Sequence, residues 1–98
     1  MVPYNADTIS MIIDSHCHIL PPNFTHRHTE LSARDGTYAT LFPKATPRLA
    51  TAEDVIKSTG IAGVDMAVVM GMGWTDAEIS REANDYIISS VNRYPDTL

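Results

Sequence analysis

The sequence predicts an α/β fold made of two consecutive β/α units. Two apolar runs indicate strands, over residues 11–18 and 66–70, and a segment with a helix-start signature follows each of them. Because strands that alternate with helices join by right-handed crossovers, the two strands are expected to be parallel neighbours. A sheet of two parallel strands leaves edges uncovered, so either copies of the chain associate or the chain is the front end of a larger barrel.

The composition indicates one small globular domain. The chain has 98 residues, of which 44% are hydrophobic, and this is enough for a single core. We assign residues 11–98 to that domain. Residues 1–10 are interpreted as an N-terminal extension, because they lack the basic start and apolar middle of a secretory signal. Cys17 is the only cysteine, so no internal disulfide is expected and the cytoplasm is the predicted compartment.

Charge and hydropathy argue against two classes of partner. The formal net charge is −5, and the basic residues are scattered one at a time, so a nucleic-acid backbone or an anionic membrane surface would be repelled. No apolar run approaches the roughly 18 residues that a membrane span needs. Neither a nucleic acid nor a membrane is therefore expected as a partner.

The first strand ends in a pair of histidines. His16 and His18 occupy positions i and i+2 of an extended segment, so both imidazoles point to one face, and Asp14 falls on that face too. Neutral imidazole is a good ligand for zinc and similar metals, which predicts half of a metal site. A histidine pair on a solvated strand end is the competing interpretation. Cys17 points the opposite way and is interpreted as a small buried hydrophobe.

Residues 23–50 show no steady hydrophobic period. Pro21 and Pro22 stop the first strand, and the segment after them is rich in Thr, Pro, Arg and His. It is predicted to be a long loop over the top of something larger, and this loop can include short helical turns. His26 and His28 repeat the i, i+2 spacing, but they lack strand signals and are interpreted as solvated loop histidines.

A helix and a strand are predicted next. Thr51 and Asp54 form a capping-box signature, the helix is expected to run to about Ala62, and Gly63 is placed to end it. The continuous apolar run over residues 66–70 then predicts a parallel strand that is buried on both faces.

The second helix is predicted to follow a loop over residues 71–74. Thr75 and Glu78 make a second capping box, and the helix is expected to run to about Tyr94. Trp74 lies directly after the second strand, on the side of a barrel where active sites are built, so it is a candidate substrate-binding residue. Packing of Trp74 against the neighbouring helix is an equally weighted interpretation.

Several separated segments resemble the N-terminal part of the metal-dependent amidohydrolase superfamily. They are IDSHCHILP over residues 13–21, AGVDMAVVM over residues 62–70, NDYI over residues 84–87 and RYPD over residues 93–96. More narrowly, they look like the branch that holds aminocarboxymuconate-semialdehyde decarboxylase and related barrel hydrolases. The resemblance covers residues 11–98.

The resemblance implies the first two β/α units of an incomplete (β/α)₈ TIM barrel, a fold that needs about 250 residues. It also implies a divalent metal, zinc first, which His16 and His18 would bind together with ligands on later strands that this sequence does not contain. Some decarboxylases of this branch bind the metal through an acid on strand one, which makes Asp14 a candidate ligand, with orientation of the strand as the alternative.

The function that the resemblance implies is the N-terminal portion of a metal-dependent hydrolase or decarboxylase. Its substrate would be a small carboxylated molecule, a lactone or an amide, and the metal would activate a water molecule for attack. Because the later ligands are missing, the chain is expected to be an inactive fragment at this length, and no catalytic residue is assigned.

Two other functions stay open. Uncovered strand edges and apolar helix faces predict a small self-associating module that binds metal or another protein, with no chemistry of its own. Residues 14–18 also resemble TatD-type nucleases, which predicts metal-dependent DNA cleavage. The acidic charge and the segment over residues 84–96 argue against the nuclease.

Overall fold

A computed structural model describes residues 10–98 and shows an α/β arrangement with two parallel strands. In chain order the elements are β1 (Ile13–His18), a 3₁₀ helix (Pro22–His26), α1 (His28–Arg34), α2 (Gly36–Leu41), α3 (Ala52–Ala62), β2 (Met66–Met70) and α4 (Ala77–Arg93). Over residues 10–98 the sheet has only β1 and β2, so the structure shows the predicted class and pairing but not a barrel. The predicted extension over residues 1–10 lies outside the described residues, apart from Ser10.

The elements with strong local signals form where they were predicted. The capping box of α3 is complete, because the Thr51 hydroxyl accepts from the Asp54 N–H and the Asp54 carboxylate accepts from the Thr51 N–H. Gly63 ends α3 in the left-handed conformation, with a φ of 73° that glycine adopts without strain. The bounds of β2 are those expected from its apolar run.

The N-cap of α4 differs from the prediction by one residue. Asp76, and not Thr75, caps the helix, because its carboxylate accepts from the Ile79 N–H at 2.9 Å. The Thr75 hydroxyl accepts instead from the backbone N–H of Gly36 at 3.0 Å. The Thr75 side chain, which the capping-box pattern assigned to the start of α4, therefore makes a tertiary contact with Gly36 instead.

The segment predicted as a long loop supplies half of the main core cluster. We call residues 20–50 the excursion; its neck is closed by the Leu20 N–H, which donates to the Ala50 carbonyl at 2.9 Å. Two short α-helices and a 3₁₀ helix form in it. Its apolar residues pack with α4, and we call this set the excursion core: Leu20, Phe24, Leu31, Tyr38, Ile79 and Ala83. The short helices are the helical turns that the prediction allowed, but their packing into a core was not predicted, because helices of five to seven residues are too short to show a 3.6-residue period.

The sheet is covered on one face only. Ala67 is 2% exposed, but its neighbour Val68 is 49% exposed, so the expectation that β2 is buried on both faces was wrong. An open apolar groove of about 310 Å³ runs along the strands. Its lining includes Ile13, Val68, Val91 and Leu98. At the outer edge of β2 the Thr97 carbonyl accepts from the Ala67 N–H at 2.8 Å, which covers part of that edge.

Candidate metal centre

The two histidines of β1 come together as predicted. Their Nε2 atoms lie 2.9 Å apart, and the rings meet edge to face with centroids 4.8 Å apart. At this distance one Nε2 donates a hydrogen bond and the other accepts it. A tetrahedral zinc ion holds two nitrogen ligands about 3.3 Å apart, given Zn–N distances of about 2.05 Å. Opening the pair of His16 and His18 by a few tenths of an ångström would therefore suit a metal in place of the shared proton.

The outer nitrogen of His18 lacks a partner among residues 10–98. His18 Nδ1 is buried and has no hydrogen bond within the described part of the chain. When Nε2 of a histidine binds a metal, Nδ1 carries the proton and usually donates it to a carboxylate, a carbonyl or a water. The two Nε2 atoms thus suit a metal between them. The described residues supply no acceptor for His18 Nδ1, so nothing there would fix the orientation of this ring.

A β-bulge changes the face on which Asp14 lies. Asp14 pairs with Ala67, and Cys17 pairs with Val69, so β1 uses one more residue than β2 between these pairs. Ala67 and Val69 share one face of β2, and their partners Asp14 and Cys17 share the corresponding face of β1. The expectation that Asp14 shares the face of the histidines is corrected by this bulge, which strand alternation alone does not reveal.

The Asp14 carboxylate instead organises the bulge. It accepts from the backbone N–H of His16 at 3.1 Å, and this bond is the main cause that holds the pKa of Asp14 below its usual value. The Cys17 thiol is half-buried, and burial, together with the nearby Asp14 carboxylate, raises the pKa of Cys17. Asp14 therefore bonds to the backbone of its own strand, and its role as a metal ligand stays a prediction.

The histidine pair is an incomplete ligand set. Within residues 10–98, no group of three or more His, Cys, Asp or Glu side chains is arranged to hold a metal ion. A catalytic zinc usually has three protein ligands and one open position. His16 and His18 therefore supply two ligands, and the described residues supply no third.

Trp74 lies at the same edge of the sheet as the histidines. His18 pairs with Met70, the last residue of β2, and Trp74 follows four residues later. Its ring packs edge to face on Phe24, with centroids 6.2 Å apart, and contacts the excursion core. The indole Nε1 is buried without a partner among the described residues. Trp74 therefore packs against Phe24 and the excursion core, and its contact with a substrate stays a prediction.

The second histidine pair does not converge like the first. His26 lies at the end of the 3₁₀ helix and is exposed. His28 is half-buried, and its Nδ1 lies 3.1 Å from the hydroxyl of Tyr38, which is fully buried. Spacing alone therefore does not make a clamp, because the strand geometry of β1 is what aligns the first pair.

The sequence analysis missed a buried carboxylate that holds the loop around Trp74. Asp35 is 1% exposed and caps α2 by accepting from the Tyr38 N–H at 2.9 Å. It also accepts from the N–H groups of Thr75 and Asp76, each at 2.8 Å. Burial raises the pKa of Asp35, but these backbone donors outweigh it and hold the pKa below its usual value. The available signal was an aspartate followed by glycine and threonine, a common helix start.

Comparisons of the chain with protein-family models, with curated proteins and with solved structures found no match. Among the residues that the structure describes, no helix has both the length and the apolar character to cross a membrane.

Proposed function

We propose that residues 11–98 are the first two β/α units of a metal-dependent hydrolase or decarboxylase built on a (β/α)₈ barrel. The observation that carries this proposal is the convergence of the His16 and His18 Nε2 atoms, 2.9 Å apart at the carboxyl end of β1. Active sites of such barrels lie at the carboxyl ends of the strands. The sequence resemblance described above supports the same assignment.

The uncovered sheet is a second support. A barrel strand has a neighbour on each side, whereas β1 has β2 on one side only within residues 10–98. Ile13 and Val68 are about half exposed, as expected of side chains that a closed barrel would bury. The Thr97 carbonyl already lies against the outer edge of β2, where the next strand of a barrel would pair.

Each candidate residue has a role in this proposal. His16 and His18 hold a divalent metal, with zinc as the first candidate, Asp14 orients the strand beneath them, and Trp74 forms an apolar wall for the substrate. When bound, the metal would polarise a carbonyl group and lower the pKa of a water molecule. The substrate is a small carboxylated molecule, a lactone or an amide. Two ligands do not complete such a centre, so we expect no turnover from this chain alone.

The test is zinc binding measured by calorimetry, with circular dichroism on the same samples. The His16→Ala/His18→Ala variant should bind zinc more than about tenfold more weakly than the wild type, because removing a ligand should exceed the loss seen for second-sphere changes. The His26→Ala/His28→Ala variant is the matched control, since it removes the same residue types at the same spacing. Equal zinc affinity in the wild type and the His16→Ala/His18→Ala variant, with both folded, would contradict the proposal.

A self-associating metal-binding module is the second candidate, and the edge of β1 favours it. Met11, Ile12 and Ile13 are each more than half exposed beside a strand edge that has no partner among residues 10–98. Two copies would supply four histidines to one tetrahedral zinc. Sedimentation with zinc distinguishes the candidates: one zinc per two chains, with a dimer, favours the module, and a monomer binding one zinc weakly favours the barrel unit.

A further inference from the structure

The corner between α1 and α2 is hydrogen-bonded to the loop that carries Trp74. We call Asp35, Gly36 and Thr37 the corner clamp. Four hydrogen bonds join it to residues 73–76. Asp35 Oδ2 accepts from the Thr75 and Asp76 N–H groups at 2.8 Å, the Gly36 N–H donates to the Thr75 hydroxyl at 3.0 Å, and the Thr37 hydroxyl donates to the Gly73 carbonyl at 2.6 Å.

These bonds hold the backbone on both sides of Trp74. The carbonyl that precedes Trp74 belongs to Gly73 and is bonded by Thr37, while the N–H that follows it belongs to Thr75 and is bonded by Asp35. Asp35 is 1% exposed, so its bonds are shielded from competition by water. The backbone of Trp74 is therefore fixed at two points by one corner of the excursion.

Among residues 10–98, apolar packing orients the indole itself, without a hydrogen bond. Its Nε1 is buried without a partner among residues 10–98, and its ring rests on Phe24 by an edge-to-face contact. Such a contact restrains the ring less sharply than a hydrogen bond, because aromatic pairs tolerate a range of offsets. The direction of the ring thus depends on this apolar packing together with the backbone that the corner clamp holds.

We propose that the corner clamp is a positioning element that fixes Trp74 at the strand edge where the histidines of β1 end. Asp35 and Thr37 act through Trp74 and are positioning residues. Because Asp35 and Thr37 belong to the excursion, the excursion contributes to the candidate site through the position of Trp74. The value of this position for a substrate rests on the proposed function, in which Trp74 is the apolar wall beside the metal.

Hydrogen exchange tests the proposal, because Trp74 is the only tryptophan and gives a single indole N–H signal in NMR spectra. Thr37→Val removes the hydroxyl that bonds Gly73. Thr40→Val is the matched control on the same helix, since the Thr40 hydroxyl bonds only the Gly36 carbonyl of its own helix, at 2.8 Å. Thr37→Ser restores the hydroxyl.

We expect Thr37→Val to accelerate exchange of the Trp74 indole N–H and the Thr75 amide by about fivefold, the factor that corresponds to one net hydrogen bond. The Leu31 amide in the excursion core should be unchanged, and Thr40→Val and Thr37→Ser should match the wild type. Equal acceleration at Leu31 would show a general loss of stability and overturn the proposal, as would no acceleration at Trp74. The experiment uses no metal, so its failure leaves the zinc test above unaffected, and failure of the zinc test leaves the clamp unaffected.

Discussion

The excursion leaves Phe24, Leu31 and Tyr38 with no exposed surface, whereas the strands leave Ile13 and Val68 about half exposed. Both regions contain apolar side chains, so the difference in their exposure comes from how many layers of structure cover each region. The excursion core combines residues of the excursion with residues of α4. The sheet has helices on one face only. Most of the largest fully buried side chains therefore belong to the excursion core.

Polar contacts follow the same division. Arg27 donates to Glu82 of α4 at 2.6 Å and to Glu30 at 2.7 Å, and Arg34 reaches Asp76 and Glu78 across the same boundary. Each pair is partly exposed and contributes little by itself, but together they hold the excursion on α4. The candidate metal ligands thus lie outside the excursion, whereas Trp74 packs against the excursion core.

The largest expected effect comes from one substitution placed in each region. Ile79→Ala in the excursion core should lower the free energy of unfolding by about 4 kcal/mol, because it leaves a cavity in a fully packed site. Ile13→Ala in β1 should cost only about 1 kcal/mol, since its side chain is 51% exposed and no cavity forms. Urea unfolding followed by circular dichroism measures both. Equal losses would show that the sheet supports the fold as much as the excursion does.

The next effect concerns the buried carboxylate that joins the two regions. Asp35→Asn should destabilise the protein by about 2 kcal/mol at neutral pH, because the amide loses charge-assisted bonds from buried N–H groups. Asp54→Asn is the matched control, since Asp54 caps α3 in an exposed position and contacts only its own helix start. A smaller loss is expected there. A loss in Asp54→Asn as large as that in Asp35→Asn would contradict a special role for the buried group.

The pH dependence of this difference sharpens the same prediction. The pKa of Asp35 is lower in the folded protein than its usual value, so the unfolded chain binds more protons in acid. Its stabilising contribution is therefore complete above the unfolded pKa of about 4 and is lost as the pH falls through the folded value. The gap in urea midpoint between the wild type and Asp35→Asn should narrow from pH 5 downward. A gap that does not change with pH would assign the loss to packing.

The smallest effect is expected from the ion pairs at the boundary. Arg27→Gln should cost about 1 kcal/mol at low salt, because it removes two close carboxylate contacts and a cation–π contact with Phe24. Arg93→Gln is the control, since Arg93 is 63% exposed and reaches Glu53 only at 3.3 Å. Unfolding in low and high salt measures both variants. The cost of Arg27→Gln should shrink in high salt, and a cost that salt leaves unchanged would point to packing against Phe24.

The sequence predicted the parts of the candidate site that depend on neighbouring residues, and it did not predict the parts that depend on tertiary contacts. His16 and His18 were found because strand alternation is a local rule that needs only two positions. The face of the sheet on which Asp14 lies was not predicted correctly, because the bulge exists only in the pairing of β1 with β2. Trp74 was found as a loop residue after a strand, but its packing on Phe24 depends on residues fifty positions earlier in the chain.

The sequence by itself determined the elements whose signals are local. The capping box of α3, the left-handed Gly63, the apolar run of β2 and the length of α4 each depend on residues within a few positions of one another, so no partner is needed to read them. The class of the fold follows from their order. Propensity and periodicity are enough where an element is long or strongly capped.

Only the tertiary structure decided the excursion, the bulge and the corner clamp. The short helices of residues 20–50 hold together because Phe24, Leu31 and Tyr38 pack on α4, and helices of that length are not stable alone. Asp35 is charged and buried because its donors come from a loop forty residues away. Local rules cannot register contacts of this kind, because their free energy appears only when distant segments meet and exclude water together.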